Sequence, residues 1–453
     1  MSSETNIGYA RFDHVRVPRF NMFSKHTKVT RQGEFIAAPP KLSKFKYVGM
    51  MNIRAMLVAN AAVSTAQAAT IATRYSCVRK QGFKTSQTDD AASALAGGEY
   101  AIMDYKFQQY RIFKAIGASY LMSWSGRNVR EYLARVVDGV AKGDDAAADE
   151  LPDLHATCAG LKSICTTYAA NLIEDCRRSC GGMGFLRASG IADKSTDYVG
   201  TVTAEGEAVI LALQTARYII KSVDGHKKGQ KLATSVQYLT TSPMKPPTVS
   251  SYAGNQDLIM QLLGHRAKQA GEDLAADFQA GLSKGNTFED ALNNVAVACW
   301  HACECHCDYN MARNAFEAVP KAIDDINIQT AVTRTMELFL LQKICENGAD
   351  FLGVLTPSQM RVIKADINML LTQIRPDAVA LTDAFGFHDN KLDSTIGRYD
   401  GNVYEAVYKA SRSNPLNRTD VMVGWDKLKP MLDMSFIERN KKVQRQGKTL
   451  SNL

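Results

Sequence analysis

Apolar positions recur at helical spacing along most of this chain, and short stretches of polar and small residues punctuate them. From Tyr47 to Lys80 there is no proline and a single glycine, and Ile53, Leu57, Ala61, Ser64, Ala68, Ile71 and Tyr75 share one face. That pattern predicts a long central helix whose alanines let neighbours approach closely. A second helix begins within Met103 to Phe113 and runs past Trp124. After an Ala- and Asp-rich interruption at 139–152, a third runs from near Leu154 to Ser179. A fourth, with Val209, Leu213, Ala216 and Ile220 in register, is placed from about Ala204 with Thr203 as its N-cap. Four such helices predict an up-and-down bundle over 47–222. Ser222 to Ser250, with Gly225, Gly229 and three prolines, reads as a linker. Further helices are predicted near 257–282, 287–318, 323–347, 358–374 and 401–411, a second helical body over 251–453. Ahead of both, Ile7 to Phe23 alternates around Phe12, Val15 and Val17 and reads as a strand stopped by Pro18, with 33–46 as a connector and 85–98 as a loop. The fold class is mainly α: two helix bundles behind a short β segment.

Composition narrows the function classes. The chain has 453 residues, 45% hydrophobic and 22% charged, enough for two or three cores. No apolar run reads as a membrane span, and Met1 to Ala10 lacks a signal-peptide pattern. The net charge of +8 is spread out except in the tail 439–448, and no nucleic-acid motif accompanies it. A basic bias of this kind suits an anionic, phosphate-bearing ligand such as a coenzyme A ester, and a solvated surface is its commoner explanation. Ten cysteines with no secretory signal read as reduced thiols. His301, Cys303, Cys305, His306 and Cys307 share helix faces in pairs four apart, but paired CxxC or HxxxH spacing is absent. Packed thiols are the preferred reading, with no metal assigned.

The stretch from Asp175 to Lys221 carries the candidate chemistry. Gly181, Gly182 and Gly184 end the third helix and leave bare backbone for a close-approaching group. The expected fourth helix then places Glu205 in its first turn, with little polar company in Ala204, Gly206 and Ala208. Such a carboxylate suits either a general base or a simple helix-supporting role. Spacing alone leaves both open.

The motifs in this stretch resemble those of the peroxisomal acyl-CoA oxidases. Cys-Gly-Gly-Met-Gly-Phe at 180–185, Ser-Gly-Ile at 189–191 and Thr-Ala-Glu-Gly followed by Leu-Gln-Thr-Ala-Arg-Tyr within 203–218 are similar to that family's CGGHGY, SGL and TYEG…LQTARF run. FDHVRVPR at 12–19, RYSCVRKQGF at 74–83, MDYKFQQYRIF at 103–113, IRPDAVALTDAF at 374–385, GRYDGNVYEAVY at 397–408 and NPLN at 414–417 follow in the family's order. The resemblance implies that Glu205 is the base that removes the α-proton of a fatty acyl-CoA, and that FAD takes the β-hydride and passes electrons to O2, giving trans-2-enoyl-CoA and hydrogen peroxide. It implies that Arg79 and Gln81 contact the FAD held mainly by the other subunit of a dimer, and Gly181 and Gly182 are assigned to the cofactor with them. Relatives carry a helical domain and most of a β-domain ahead of the FDHVRVPR segment. Residues 1–46 are accordingly expected to be a remnant of the central β-domain. Ser451 to Leu453 is one substitution from a peroxisomal address.

The chain departs from the family pattern at Met183, Ala204 and Ala208, which replace a histidine, an aromatic residue and an asparagine. These departures raise an alternative, a non-catalytic paralogue that serves as a dimerisation or regulatory partner, homodimeric or paired with a full-length oxidase. An acyl-CoA dehydrogenase is disfavoured by the second helical body. Arg375 and Asp383 are assigned structural roles.

Overall fold

The structure is a computed structural model that describes residues 8–24, 27–37, 48–84, 97–432 and 441. Eight long helices build its main body: α1 Val48–Val78, α2 Lys106–Ala141, α3 Leu151–Ser179, α4 Ala208–Lys227, α5 Gln256–Ser283, α6 Ala296–Ala322, α7 Ile326–Glu346 and α8 Pro357–Ile374. α1 packs against α2 and α3, and α3 against α4, which gives the bundle its core. The second set of helices lies directly on the first, with α6 and α7 against α2 and with α5 and α6 against α4. Tertiary contacts divide the chain into a unit Met1–Gly401 and a second unit Asn402–Leu453. The second unit contains helix α9, Val403–Ser413, and a short helix at Trp425–Leu432.

α1 owes its position to small residues. Every residue from Thr65 to Ser76 is buried, so its second half is enclosed on all sides rather than along one face. Ile53, on the face expected to pack inward, is instead 41% exposed. α1 is also long and apolar enough to cross a membrane by composition, contrary to the sequence reading, yet 67% of that stretch is buried within the bundle. Glycine sets two helix crossings. A Cβ on Gly126 would sit 2.9 Å from the Cα of Ala59, and one on Gly117 would sit 2.1 Å from the carbonyl oxygen of Thr335. The first crossing seats α2 on α1; the second seats α7 on α2.

The segment expected to form a strand at Ile7 to Phe23 does not do so among the described residues. It holds only a 3-10 turn at Arg19–Asn21, and Tyr9 and Phe23 are 99% exposed. A strand needs a neighbour for its backbone groups, and no described strand pairs with it. The strands present are the antiparallel pair β1 Lys28–Val29 with β2 Phe35–Ile36 and the antiparallel pair β3 Lys80–Phe83 with β4 Glu99–Ala101. The linker is also more ordered than its prolines suggested. α4 continues to Lys227, and the 3-10 segment Thr234–Thr240 buries Val236, Tyr238 and Leu239 completely. The Tyr238 hydroxyl lies 3.1 Å from Nδ1 of His306 on α6, so the connector is part of the core.

Filling the α2–α7 crossing tests this account. Gly117→Ala should lower unfolding stability by about 1–3 kcal/mol, because the methyl group meets backbone that cannot yield. Urea denaturation followed by circular dichroism reads that loss, and an unchanged midpoint would contradict the crossing.

Candidate functional site

α3 ends at Ser179 and passes into a 3-10 segment, Gly181–Phe185, as the glycine cluster requires. Gly181 has φ +58° and, like Gly182, has open space where a side chain would project. Gly184 differs, since a Cβ there would lie 2.1 Å from the carbonyl oxygen of Arg177. Its role is the tight turn, whereas Gly181 and Gly182 present bare, exposed backbone. Gly190 then turns with φ +71° against the backbone of Asp393, and Thr395 donates to the carbonyl of Ala188 at 3.0 Å, pinning the loop.

Glu205 is not in the first turn of α4. A short helix, Gly200–Thr203, closes before it, Glu205 takes φ +57° and Gly206 φ +113°, and α4 starts only at Ala208. The N-cap is Glu207, whose carboxylate accepts from the amides of Val209 at 2.8 Å and Ile210 at 3.3 Å. Thr203 spends its hydroxyl on the carbonyl of Gly200 at 3.0 Å. Two adjacent residues at positive φ cannot extend a helix backwards, which is why the helix begins four residues late.

This turn is held by its backbone. Arg54 of α1 donates from Nε to the Glu205 carbonyl at 3.2 Å. Lys162 of α3, fully buried, donates from Nζ to the carbonyls of Val202 at 2.9 Å and Gly206 at 2.7 Å. Ser163 donates to the carbonyl of Ala208 at 2.6 Å. The Glu205 side chain stays exposed, within electrostatic reach of both cations. Sequence reasoning missed these anchors, although a signal was present. Arg54 is the sole Asp, Glu, Lys or Arg between Val48 and Thr73, and Lys162 the sole one between Leu154 and Leu172.

Arg54 also lines a cavity of about 500 Å³, together with Met50, His155, Arg217, Tyr218 and Lys221. No carboxylate lines it. Burial first, and the Arg54 cation second, push the His155 imidazole below its ordinary range, so the positive charge comes from Arg54, Arg217 and Lys221. Arg54 Nη1 and Gln214 Oε1, both at this cavity, are buried without a hydrogen-bond partner. The unpartnered Arg54 donor suits an anion that brings acceptors of its own, whereas the Gln214 oxygen, itself an acceptor, calls for a donor.

The remaining predicted residues lie elsewhere. Arg79 and Gln81 flank the start of β3, with Arg79 Nη2 3.4 Å from Gln81 Oε1 and Tyr105 donating to the Gln81 carbonyl at 2.8 Å. Gln108 bonds both Ser76 Oγ at 2.9 Å and the Ser179 carbonyl at 2.7 Å, so the ends of α1 and α3 lie together. Arg79, Gln81, Gly181 and Gly182 therefore share one end of the bundle. Arg54, which touches Glu205, precedes Ser76 by six turns of α1, about 30 Å at 1.5 Å per residue. Glu205 and the other four residues are not brought together within one chain. In the cysteine-rich stretch, Cys303, Cys305, His306 and Cys307 are buried in α6 and His301 is half-exposed.

Replacing the buried amine tests the anchoring. Lys162→Met should cost about 1–3 kcal/mol by leaving two carbonyls unmatched. Burial lowers the Lys162 ammonium from 10.5 to about 8. Between those values the unfolded chain binds more protons, so the wild-type chain gains stability as pH rises and the variant does not. Urea titrations at pH 7.5 and 9.5 should show the gap widening; a gap that narrows would contradict it.

Comparison with known proteins supplies the family. The model of the acyl-CoA oxidase C-alpha1 domain matches residues 47–220, and the acyl-CoA oxidase model matches residues 255–433. The peroxisomal acyl-coenzyme A oxidase 1 of Rattus norvegicus is 36% identical over 440 residues, 94% of this chain and 64% of that protein. The protein of the same name from Arabidopsis thaliana is 32% identical, over 95% of this chain and 63% of its own length. This chain thus spans just under two thirds of the relatives it matches. Among solved structures, Arabidopsis thaliana acyl-CoA oxidase 1 superposes with a TM-score of 0.85 at 31% identity, covering 93% of this chain and 63% of that one. Acyl-CoA oxidase-2 of Caenorhabditis elegans, bound with FAD, ascaroside-CoA and ATP, gives 0.84 at 30% identity over 93% of this chain and 61% of that one. The helical fold, the ordered motifs and these matches agree: the chain belongs to the acyl-CoA oxidase family.

Proposed function

We propose that this chain contributes the helical half of an FAD-dependent acyl-CoA oxidase of peroxisomal fatty acid β-oxidation, which converts a fatty acyl-CoA and O2 to a trans-2-enoyl-CoA and hydrogen peroxide. The observation that carries this reading is the exposed Glu205 carboxylate, fixed through its backbone by Arg54, which also lines the carboxylate-free cationic cavity. Arg217 and Lys221 in that cavity are suited to the phosphates of coenzyme A, and Arg54 links the same cavity to the base. The thioester carbonyl acidifies the α-proton, and Glu205 takes it when that proton comes within hydrogen-bond reach. The peroxisomal assignment rests on the names of the relatives; the residues at 451–453 that resemble an address lie outside the described residues.

Arg79, Gln81 and the bare backbone at Gly181 and Gly182 fit a cofactor that needs close approach and polar contacts, and we assign them to FAD. Bound FAD supplies the hydride acceptor and the route of electrons to O2. The separation of about 30 Å between these residues and Glu205 is the reason we assign them to the FAD of a second chain, in a homodimer or with a full-length oxidase.

The test begins with the absorbance spectrum of the desalted chain after incubation with FAD. A retained flavin spectrum that bleaches when a fatty acyl-CoA is added anaerobically supports the proposal, and Glu205→Gln should then slow bleaching by about 10²- to 10⁴-fold. Coenzyme A binding is read separately, and Arg217→Glu should weaken it at least tenfold, since one charge-assisted contact contributes roughly 1.5–3 kcal/mol. A colourless chain that still binds coenzyme A would overturn stand-alone catalysis and move the activity to a complex with a full-length oxidase.

A further inference from the structure

The second helical set holds a cluster that the acyl-CoA chemistry does not use. His301 and Cys305 stand one turn apart on α6, and Asp350 reaches them from the 3-10 segment Gly348–Phe351. His301 Nε2 lies 3.6 Å from Cys305 Sγ and 3.3 Å from Asp350 Oδ1. The three donor atoms all fall within 4.8 Å of one another. A tetrahedral ion with metal–nitrogen and metal–oxygen bonds of about 2.0–2.2 Å and a metal–sulfur bond of about 2.3 Å has ligand–ligand edges of about 3.3–3.6 Å. Two edges of the observed triangle already have that length. We propose that His301, Cys305 and Asp350 form a binding site for one zinc-class divalent ion, which staples α6 to the turn between α7 and α8.

Three features of the surroundings point the same way. The first is orientation. The second carboxylate oxygen of Asp350 accepts from Arg266 Nε at 2.6 Å, which leaves Oδ1 turned toward His301. Metal-bound carboxylates are commonly steadied in this way by an outer hydrogen bond. The second is charge. Arg266 and Lys343 face three carboxylates, those of Glu304, Asp308 and Asp350, so the cluster has one carboxylate more than it has cations. The third is access. Cys305 is buried at 1% exposure, while the His301 side chain is 39% exposed, so an ion can enter from the histidine side and keep a water as its fourth ligand.

Binding is balanced by one proton. The Cys305 thiol, which burial pushes up, binds as a thiolate and releases its proton to solvent, and the histidine binds as neutral imidazole. The ion undergoes no redox change. Thiolate and bound carboxylate together match its double charge.

Cobalt(II) serves as the probe, added to the full chain after chelator treatment and desalting under a reductant that does not bind metals. One equivalent should produce a thiolate-to-metal charge-transfer band in the near ultraviolet and visible bands of tetrahedral intensity, both reversed by zinc. Cys305→Ser should abolish the charge-transfer band. His301→Ala, a half-exposed position that does not threaten the core, should weaken cobalt binding at least tenfold. No band with the folded wild-type chain overturns the proposal. So does a band that survives in the folded Cys305→Ser chain or an affinity unchanged in His301→Ala, because the ion would then be held by other thiols.

Discussion

The guanidinium of Arg266 on α5 is the point on which the second helical set depends. Almost fully buried, it bonds Asp308 of α6 at 2.8 Å and Asp350 at 2.6 Å, and it lies 3.5 Å from Glu304. Lys343 of α7 completes the cluster through Glu304 at 2.8 Å. The hydroxyl of Tyr168, on α3 of the first bundle, lies 2.9 Å from both Glu304 and Asp308. Removing one member strands a charge in a dry interior, a loss of about 3–5 kcal/mol, whereas the assembled cluster contributes less than its contacts suggest. Its main effect is geometric, because the bonds can all form in one packing of α3, α5, α6 and α7. A second ion pair acts similarly at the end of α1, where Arg74 bonds Asp383 at 2.7 Å and the Gly397 carbonyl at 2.9 Å.

These polar ties explain why small residues dominate the remaining interfaces. Alanine-rich α1 supplies little directional information by itself, since many alanines around a cylinder fit neighbours at many angles. Glycines at 117 and 126 choose two crossings by excluding side chains, and the buried charges choose the rest. A rigid frame follows, and it carries two chemically distinct ends. One presents Glu205 beside a cationic cavity, and the other presents bare backbone beside Arg79 and Gln81.

Much of this frame was legible in the sequence. The pattern from Tyr47 to Lys80 predicts α1, observed at Val48–Val78, because a 31-residue stretch without proline and with one glycine leaves few alternatives. The support roles expected of Arg375 and Asp383 match their pairing with Asp104 at 2.7 Å and Arg74 at 2.7 Å. Other features depended on distant partners. The helix expected over 287–318 is broken at Val295, after a separate short helix at Phe288–Asn294 capped by Thr287, where no glycine or proline marks the break. The prolines of 222–250 predict a linker, but Val236, Tyr238 and Leu239 are large apolar groups, and the fold buries them completely. At the candidate site the residue type was legible and the backbone was not. Gly206 follows Glu205 directly, and a glycine at φ +113° ends the possibility of a helix running through it.

That backbone also bears on the departures at Ala204 and Ala208. If Glu205 were fixed by side chains on either side of it, loss of an aromatic group and an amide would release it. Its turn is fixed instead by carbonyls. Lys162 takes those of Val202 and Gly206, Arg54 that of Glu205 and Ser163 that of Ala208. Every amino acid offers a carbonyl, so substitutions at 204 and 208 leave the acceptors in place. Ala208 is buried, while Ala204 is exposed and extended. The substitutions therefore alter what surrounds the carboxylate without removing what positions it. What surrounds the carboxylate and what places it are controlled by different atoms in this turn.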